Sequence, residues 1–132
     1  MAEIYACGEA GQAEKELRLL FGKIAAAKNI EQFSKTLPDP VKEFIFTRLR
    51  GYTFPFATNH SDYLVLNFLN ARLNGNGISL NTFALENRVN HEELHNTLSN
   101  VTSTISRRVA GFMRRGDIKD VPRFNGAAHV EL

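Results

Sequence analysis

The chain has 132 residues, of which 43% are hydrophobic, and a formal net charge of +2 at pH 7. This length predicts a single domain, or a small domain with a helical extension, and the ten phenylalanines supply volume for a core. The single cysteine, Cys7, excludes an internal disulfide framework, and no apolar run is long enough to span a membrane. The first residues lack the basic and apolar stretches of a signal peptide, so we expect a cytoplasmic protein.

The first predicted helix runs from about residue 12 to residue 27, because apolar side chains recur there at helical spacing. Its apolar stripe consists of Leu17, Leu20, Phe21 and Ile24. Such a stripe is typical of a helix that packs within its own chain, and equally of one that pairs with a second copy. The sequence leaves both interpretations open.

A second helix is predicted after the sharp break at Leu37-Pro38-Asp39-Pro40, and it ends before Gly51. The aromatic loop that follows, residues 52–60, is the only plausible boundary in the chain. We therefore divide the chain into a helical N-terminal segment, residues 1–60, and a winged-helix-like part, residues 61–132. Together they are expected to form one compact unit.

The next helix is predicted to be central and buried, because it is apolar on nearly every side. Ser61 is its expected N-cap, and the Asn74-Gly75-Asn76-Gly77 segment ends it. Asn81 is then expected to cap a short helix through Val89.

The C-terminal third predicts a helix-turn-helix followed by a β-hairpin wing. Asn90 can cap a first helix, and Ser99-Asn100 is a plausible turn before a second helix from about Thr102 to Arg115. Asn125-Gly126 is a strong two-residue hairpin signal. The predicted fold is mainly α: a helical N-terminal part followed by a winged helix-turn-helix with a small C-terminal β-hairpin.

The positive charge is concentrated in this C-terminal third. Residues 102–123 contain six Lys or Arg and two Asp, a net charge of +4, whereas residues 81–101 carry a net charge of −2. A concentrated basic surface can meet the phosphates of a nucleic acid. A solvated helix face with a basic C-terminal turn would produce the same charge pattern.

Residues 92–118, with the sequence EELHNTLSNVTSTISRRVAGFMRRGDI, resemble the helix-turn-helix of the cyclic-AMP receptor family of bacterial transcription regulators. The match needs no gap and covers about a fifth of the chain. It implies a winged helix-turn-helix domain that binds DNA. Nothing in the chain resembles the cyclic-nucleotide-binding barrel of that family, so the resemblance implies no cofactor.

The resemblance also implies which side chains contact DNA. Thr102, Ser103 and Arg107 match the positions that touch base edges, and Thr104 matches the threonine that contacts a phosphate. Hydroxyls and N–H groups at a helix N-terminus suit a phosphate, and an arginine one turn later can pair with guanine. The other candidate DNA contacts are the basic residues Arg108, Arg115, Lys119 and Arg123.

A competing motif lies at the start of the same region. His91-Glu92-Glu93-Leu94-His95 matches H-E-x-x-H, in which two histidines on one helix face hold zinc and the glutamate activates the bound water. A third ligand would have to come from further along the chain. The candidates are Asp117, Asp120, His129 and Glu131. We expect no metal, because the chain before the motif predicts helices and not the strand that would hold an extended peptide substrate.

The sequence therefore predicts a sequence-specific protein that binds double-stranded DNA, regulates transcription, acts as a homodimer and has no enzymatic activity. The alternative is a non-enzymatic helical module that binds another protein. A zinc metallopeptidase of the H-E-x-x-H type is the minor alternative.

Overall fold

The computed structural model describes residues 4–49 and 59–124, and within them the chain forms six helices. These are α1 (Ala10–Ala26), α2 (Ile30–Thr36), α3 (Asp39–Glu43), α4 (His60–Leu73), α5 (Leu80–Glu86) and α6 (His91–Arg115). A turn of 3-10 helix, Cys7–Glu9, precedes α1, and α3 continues into a π-helical turn, Phe44–Arg48. None of the helices in this part of the chain is both long enough and apolar enough to cross a membrane.

Helix α1 packs against both α4 and α6, and its apolar stripe lies in the core. Leu17, Leu20 and Ile24 have no exposed surface, and Phe21 is 3% exposed. Burial of side chains of this size contributes about 1.5–3 kcal/mol each to the stability of the fold. The stripe therefore packs within the chain and does not offer a surface to a second copy.

Two helices are capped a short distance from the predicted residues. The Asn59 side chain caps α4 by accepting a hydrogen bond from the Asp62 N–H at 2.9 Å, in place of Ser61. The Ser79 hydroxyl caps α5 by accepting from the Thr82 N–H at 3.2 Å. Both caps satisfy N–H groups that a helix start leaves without partners. Half of the 14 residues of α4 are buried, most of them apolar: Leu64, Val65, Leu66, Phe68, Leu69, Arg72 and Leu73.

Helix α6 is one continuous helix of 25 residues, and this finding overturns the predicted helix-turn-helix. The helix starts as the sequence predicts, since the Asn90 side chain accepts a hydrogen bond from the Glu93 N–H at 3.0 Å. It ends at Gly116, whose φ of 74° is the left-handed conformation that glycine adopts readily. The chain stays helical through Ser99 and Asn100, where the turn was expected.

Packing explains why the expected turn is absent. Ser99 and Asn100 are weak helix formers, but no glycine or proline interrupts the helix around them. The buried side chains of Leu94, Ile105 and Val109 lie on the side of α6 that joins the core. A break at residue 99 would divide this buried stripe, so tertiary packing overrides the local preference.

The predicted wing is not formed by the described residues either. Residues 119–124 form no regular strand, and their one β interaction in the described chain is an isolated antiparallel bridge between Ile4 and Pro122. The Tyr5 N–H donates to the Val121 carbonyl beside it at 2.9 Å. The hairpin signal at residues 125–126 lies outside the described residues. The expectation of a mainly α chain is confirmed, and the winged helix-turn-helix with a β-hairpin is wrong.

The substitution Asn100→Pro tests the continuity of α6. Within a helix, proline removes the hydrogen bond to the carbonyl of residue 96 and clashes with the preceding turn. We expect the free energy of unfolding in urea to fall by about 3 kcal/mol. The control Asn100→Ala should leave it unchanged or slightly higher, because alanine is the better helix former. A proline variant as stable as the native protein would mean that the chain turns at residue 100.

Candidate nucleic-acid interface

The exposed side of α6 carries a cluster of arginines near its C-terminal end, which we call the arginine face. Its members are Arg107, Arg108, Arg114 and Arg115, all of them exposed. Arg107 and Arg114 are seven residues apart, so they lie on one side of the helix about 10.5 Å apart along its axis. No aspartate or glutamate occurs between residues 94 and 116. The charged side chains on the C-terminal half of α6 are therefore all positive.

The core determines that this face points outward. The inward residues of the same helix half are Ile105, Ser106, Val109, Ala110 and Met113. Because successive residues are turned by about 100° around a helix axis, their burial fixes Arg107 and Arg114 on the opposite side. The apolar stripe and the arginine face are thus two consequences of one helical repeat.

Arg115 is positioned by its neighbours in sequence. Its Nε donates to Oδ2 of Asp117 at 3.0 Å, and its guanidinium lies 5.1 Å from the centroid of the Phe112 ring. Both charged side chains of the pair are more than half exposed, at 61% and 55%. An exposed pair of this kind contributes about 0–1 kcal/mol, so a phosphate can replace Asp117 as the partner of Arg115.

The predicted contacts at the start of a recognition helix now lie in the middle of α6. Thr102 is 8% exposed, and its hydroxyl donates to the Leu98 carbonyl at 2.9 Å. Ser103 and Thr104 are half-buried. In a continuous helix, the N–H groups of these residues bond to carbonyls four residues earlier and are not open to a phosphate. The expected phosphate contact at the backbone of residues 102–104 therefore has no structural basis in α6.

Lys119 and Arg123 lie in the segment after α6 and differ in exposure. Lys119 is exposed, while its backbone carbonyl accepts a hydrogen bond from Arg48. Arg123 binds both carboxylate oxygens of Glu9, at 2.7 and 2.8 Å, and its guanidinium lies 5.2 Å from the Tyr5 ring centroid. The Ala6 N–H, and then Arg123, hold the pKa of the Glu9 carboxyl below its usual value. Arg123 therefore joins the two ends of the described chain.

Arg114 is the one member of the arginine face that is not among the candidate DNA contacts predicted from the sequence. Its side chain is exposed two turns beyond Arg107. The spacing of seven residues between Arg107 and Arg114 would have indicated it. That spacing places the two side chains on one helix face only when the helix is continuous. Neither Arg107 nor Arg114 has an ion-pair partner among the described residues.

The H-E-x-x-H motif occupies the first turn of α6. His91 is the first residue of the helix, and its ring centroid lies 6.0 Å from that of His95. Both histidines and Glu92 are exposed. Within the described residues, no group of three His, Cys, Asp or Glu side chains could hold a metal ion. A catalytic zinc needs three protein ligands, and two of the candidates, His129 and Glu131, lie outside the described residues.

Metal analysis of the purified protein tests this motif. We expect less than stoichiometric zinc by mass spectrometry, because two exposed histidines alone form an incomplete site. The substitution Glu92→Gln should leave the protein folded and lower its stability by a few tenths of a kcal/mol, about the value of one charge near a helix N-terminus. One zinc per chain, lost on His95→Ala, together with peptide hydrolysis lost on Glu92→Gln, would contradict this expectation.

Comparison with known proteins gives no further guide to the site. No family model matches the chain, and neither the search of curated proteins nor the search of solved structures gives a match. The resemblance of residues 92–118 to regulators of the cyclic-AMP receptor family stays a prediction.

Proposed function

We propose that the protein binds double-stranded DNA through the arginine face of α6. The observation that carries the proposal is the alignment of four exposed arginines on one helix surface without an intervening acidic residue. Guanidinium groups present several N–H donors in a plane, and this geometry matches the oxygens of a phosphate. The DNA backbone supplies phosphates at a regular spacing along such a surface.

The helix dipole explains only part of this charge. A helix C-terminus is negative, so Arg114 and Arg115 in the last turn of α6 stabilise the helix itself. The effect falls off within one turn, and Arg107 and Arg108 lie about two turns from the end. The dipole therefore does not account for the charge of Arg107, which has no ion-pair partner among the described residues. Binding of an external anion accounts for this part of the charge.

The contacts we propose are to phosphates. The predicted base contacts Thr102 and Ser103 depended on a helix that starts at residue 102, and α6 starts at His91. Phosphate contacts position a protein on DNA without reading its sequence. We therefore propose binding to the DNA backbone. A role in transcription rests only on the resemblance of residues 92–118 to bacterial regulators.

The expected affinity follows from the number of charges. Four phosphate contacts predict that the logarithm of the binding constant falls with the logarithm of salt concentration at a slope of about −3.6. Contacts of this kind give dissociation constants on the order of 10⁻⁴–10⁻⁶ M at physiological salt. The arginine face thus predicts weak binding that depends strongly on salt.

The paired substitution Arg107→Ala with Arg114→Ala tests the proposal. Both side chains are exposed, so the fold should survive their removal. We expect the salt slope for binding to random duplex DNA to become shallower by about 1.8, since two phosphate contacts are lost. Fluorescence anisotropy of labelled duplex across a salt series measures this slope.

A matched control removes the same charge from another surface. Lys15 and Lys35 are exposed on α1 and α2, and changing both to alanine lowers the net charge by the same two units. The control should keep most of the affinity and the full slope. Equal losses in both paired variants would show that net charge alone governs binding. Absence of DNA binding by the native protein would favour the alternative, a non-enzymatic helical module that binds another protein.

A further inference from the structure

The outer face of α1 carries a groove that the DNA-binding proposal does not use. The groove has a volume of about 480 Å³ and runs beside the C-terminal half of the helix. Its apolar members include Leu19, Gly22 and Ala26. Its basic members are Arg18, Lys23 and Lys28. We call this feature the α1 groove.

Gly22 is one of the residues that line the α1 groove. It lies inside α1, where glycine is a poorer helix former than any residue except proline. Apart from the backbone of its own helix, a Cβ atom placed on Gly22 would meet no atom of the described residues within 4 Å. Packing among the described residues therefore does not require a glycine at residue 22. Because glycine has no side chain, it leaves a depression on α1 where apolar and basic side chains meet.

The side chains around Gly22 present both apolar surface and positive charge. Leu19 is 50% exposed, so half of a large apolar side chain faces water. Arg18 pairs with Glu14 at 3.0 Å, but both groups are partly exposed and such a pair is weak. The fitting occupant is an apolar side chain on a surface with excess negative charge.

Exposed residues of this chemistry occur on α5 and in the first turn of α6. Leu85 is 80% exposed, the highest value among the exposed large hydrophobic residues of the described chain. Glu86 follows it directly, and Glu92 and Glu93 lie in the first turn of α6. With Arg88 as the one basic residue, the segment from residue 81 to residue 101 has a net charge of −2. We call Leu85 and these three glutamates the α5 knob.

We propose that the protein self-associates, with the α5 knob of one copy inserted into the α1 groove of a second copy. Leu85 would then cover the exposed side of Leu19, and the three glutamates would face the basic members of the groove. The charges of the two surfaces are complementary, and each copy has one of each. Two copies can exchange knobs and grooves in a closed dimer, or continue as a chain if the rotation does not close.

The association is expected to be weak. Stable complexes bury about 1,200–2,000 Å² in total, and one leucine with a few exposed ion pairs falls short of a large apolar interface. The dimer should therefore depend on protein concentration and dissociate as salt screens the charges. The inference does not rest on DNA binding, because the association is measured without nucleic acid.

Sedimentation velocity of the full chain across a concentration series tests the proposal. The native protein should show a weight-average sedimentation coefficient that rises with concentration and falls with added salt. We expect Leu85→Ala to raise the dissociation constant roughly tenfold to a hundredfold, the range that loss of one buried leucine side chain allows. Gly22→Leu, which fills the groove and improves helix propensity, should do the same.

A mixture of the two variants gives the sharpest test. The Gly22→Leu chain keeps its knob and the Leu85→Ala chain keeps its groove, so the mixture should associate more strongly than either variant alone. Ile4→Ala, which shortens another exposed apolar side chain, is the matched control and should associate like the native protein. Far-UV circular dichroism verifies that each variant is folded. A native protein that stays monomeric, a Leu85→Ala variant that associates as tightly as the native protein, or a mixture that associates no more strongly than either variant alone would each overturn the proposal.

Discussion

The buried guanidinium of Arg72 joins three parts of the chain, and the arrangement of α1 depends on it. Arg72 is 3% exposed and donates to the carbonyls of Ile24 at 2.6 Å, of Ile78 at 2.7 Å and of Ala27. The first and last of these carbonyls belong to the C-terminal end of α1, where a helix leaves its carbonyls without partners. That end is also negative, so a positive charge is stabilised there. Burial lowers the pKa of Arg72, but a guanidinium stays protonated in proteins.

A second set of contacts holds the two ends of the described chain on the same helix. The Tyr5 hydroxyl donates to Glu16 of α1 at 2.6 Å and accepts from the Phe124 N–H at 3.1 Å. Gln12 donates to the other oxygen of Glu16 at 2.7 Å, so this buried carboxylate has two partners. Burial, with a contribution from Glu16, raises the pKa of Tyr5, so its hydroxyl keeps its proton at neutral pH. Helix α1 is thus fixed by Arg72 at one end and by the Tyr5 contacts at the other, and α6 packs along it.

The sequence predicts those features that depend on nearby residues. The Asn90 cap and the apolar stripe of α1 each follow from side chains within a few positions of one another. The continuity of α6 could not be predicted in this way, because Ser99 and Asn100 favour a turn locally and packing against other helices decides the outcome. Local patterns also cannot show that Arg123 pairs with Glu9, since 114 residues separate them. The positive charge of residues 102–123 was visible from composition. The alignment of the arginines on one helix face could be seen only once α6 was known to be continuous.

The surface proposed to bind DNA and the surfaces proposed for self-association have no residue in common. No arginine of the arginine face belongs to the α1 groove or to the α5 knob, so the proposed knob-and-groove contact uses none of them. The glutamates at the start of α6 repel DNA, and pairing them with the basic groove would reduce this repulsion. A pair of copies would also present eight arginines in place of four. If both faces reach one duplex, the salt slope would approach about −7.2, and the second contact would form at the high effective concentration of a tethered site. Weak binding by one helix face would then become strong binding without any new type of contact.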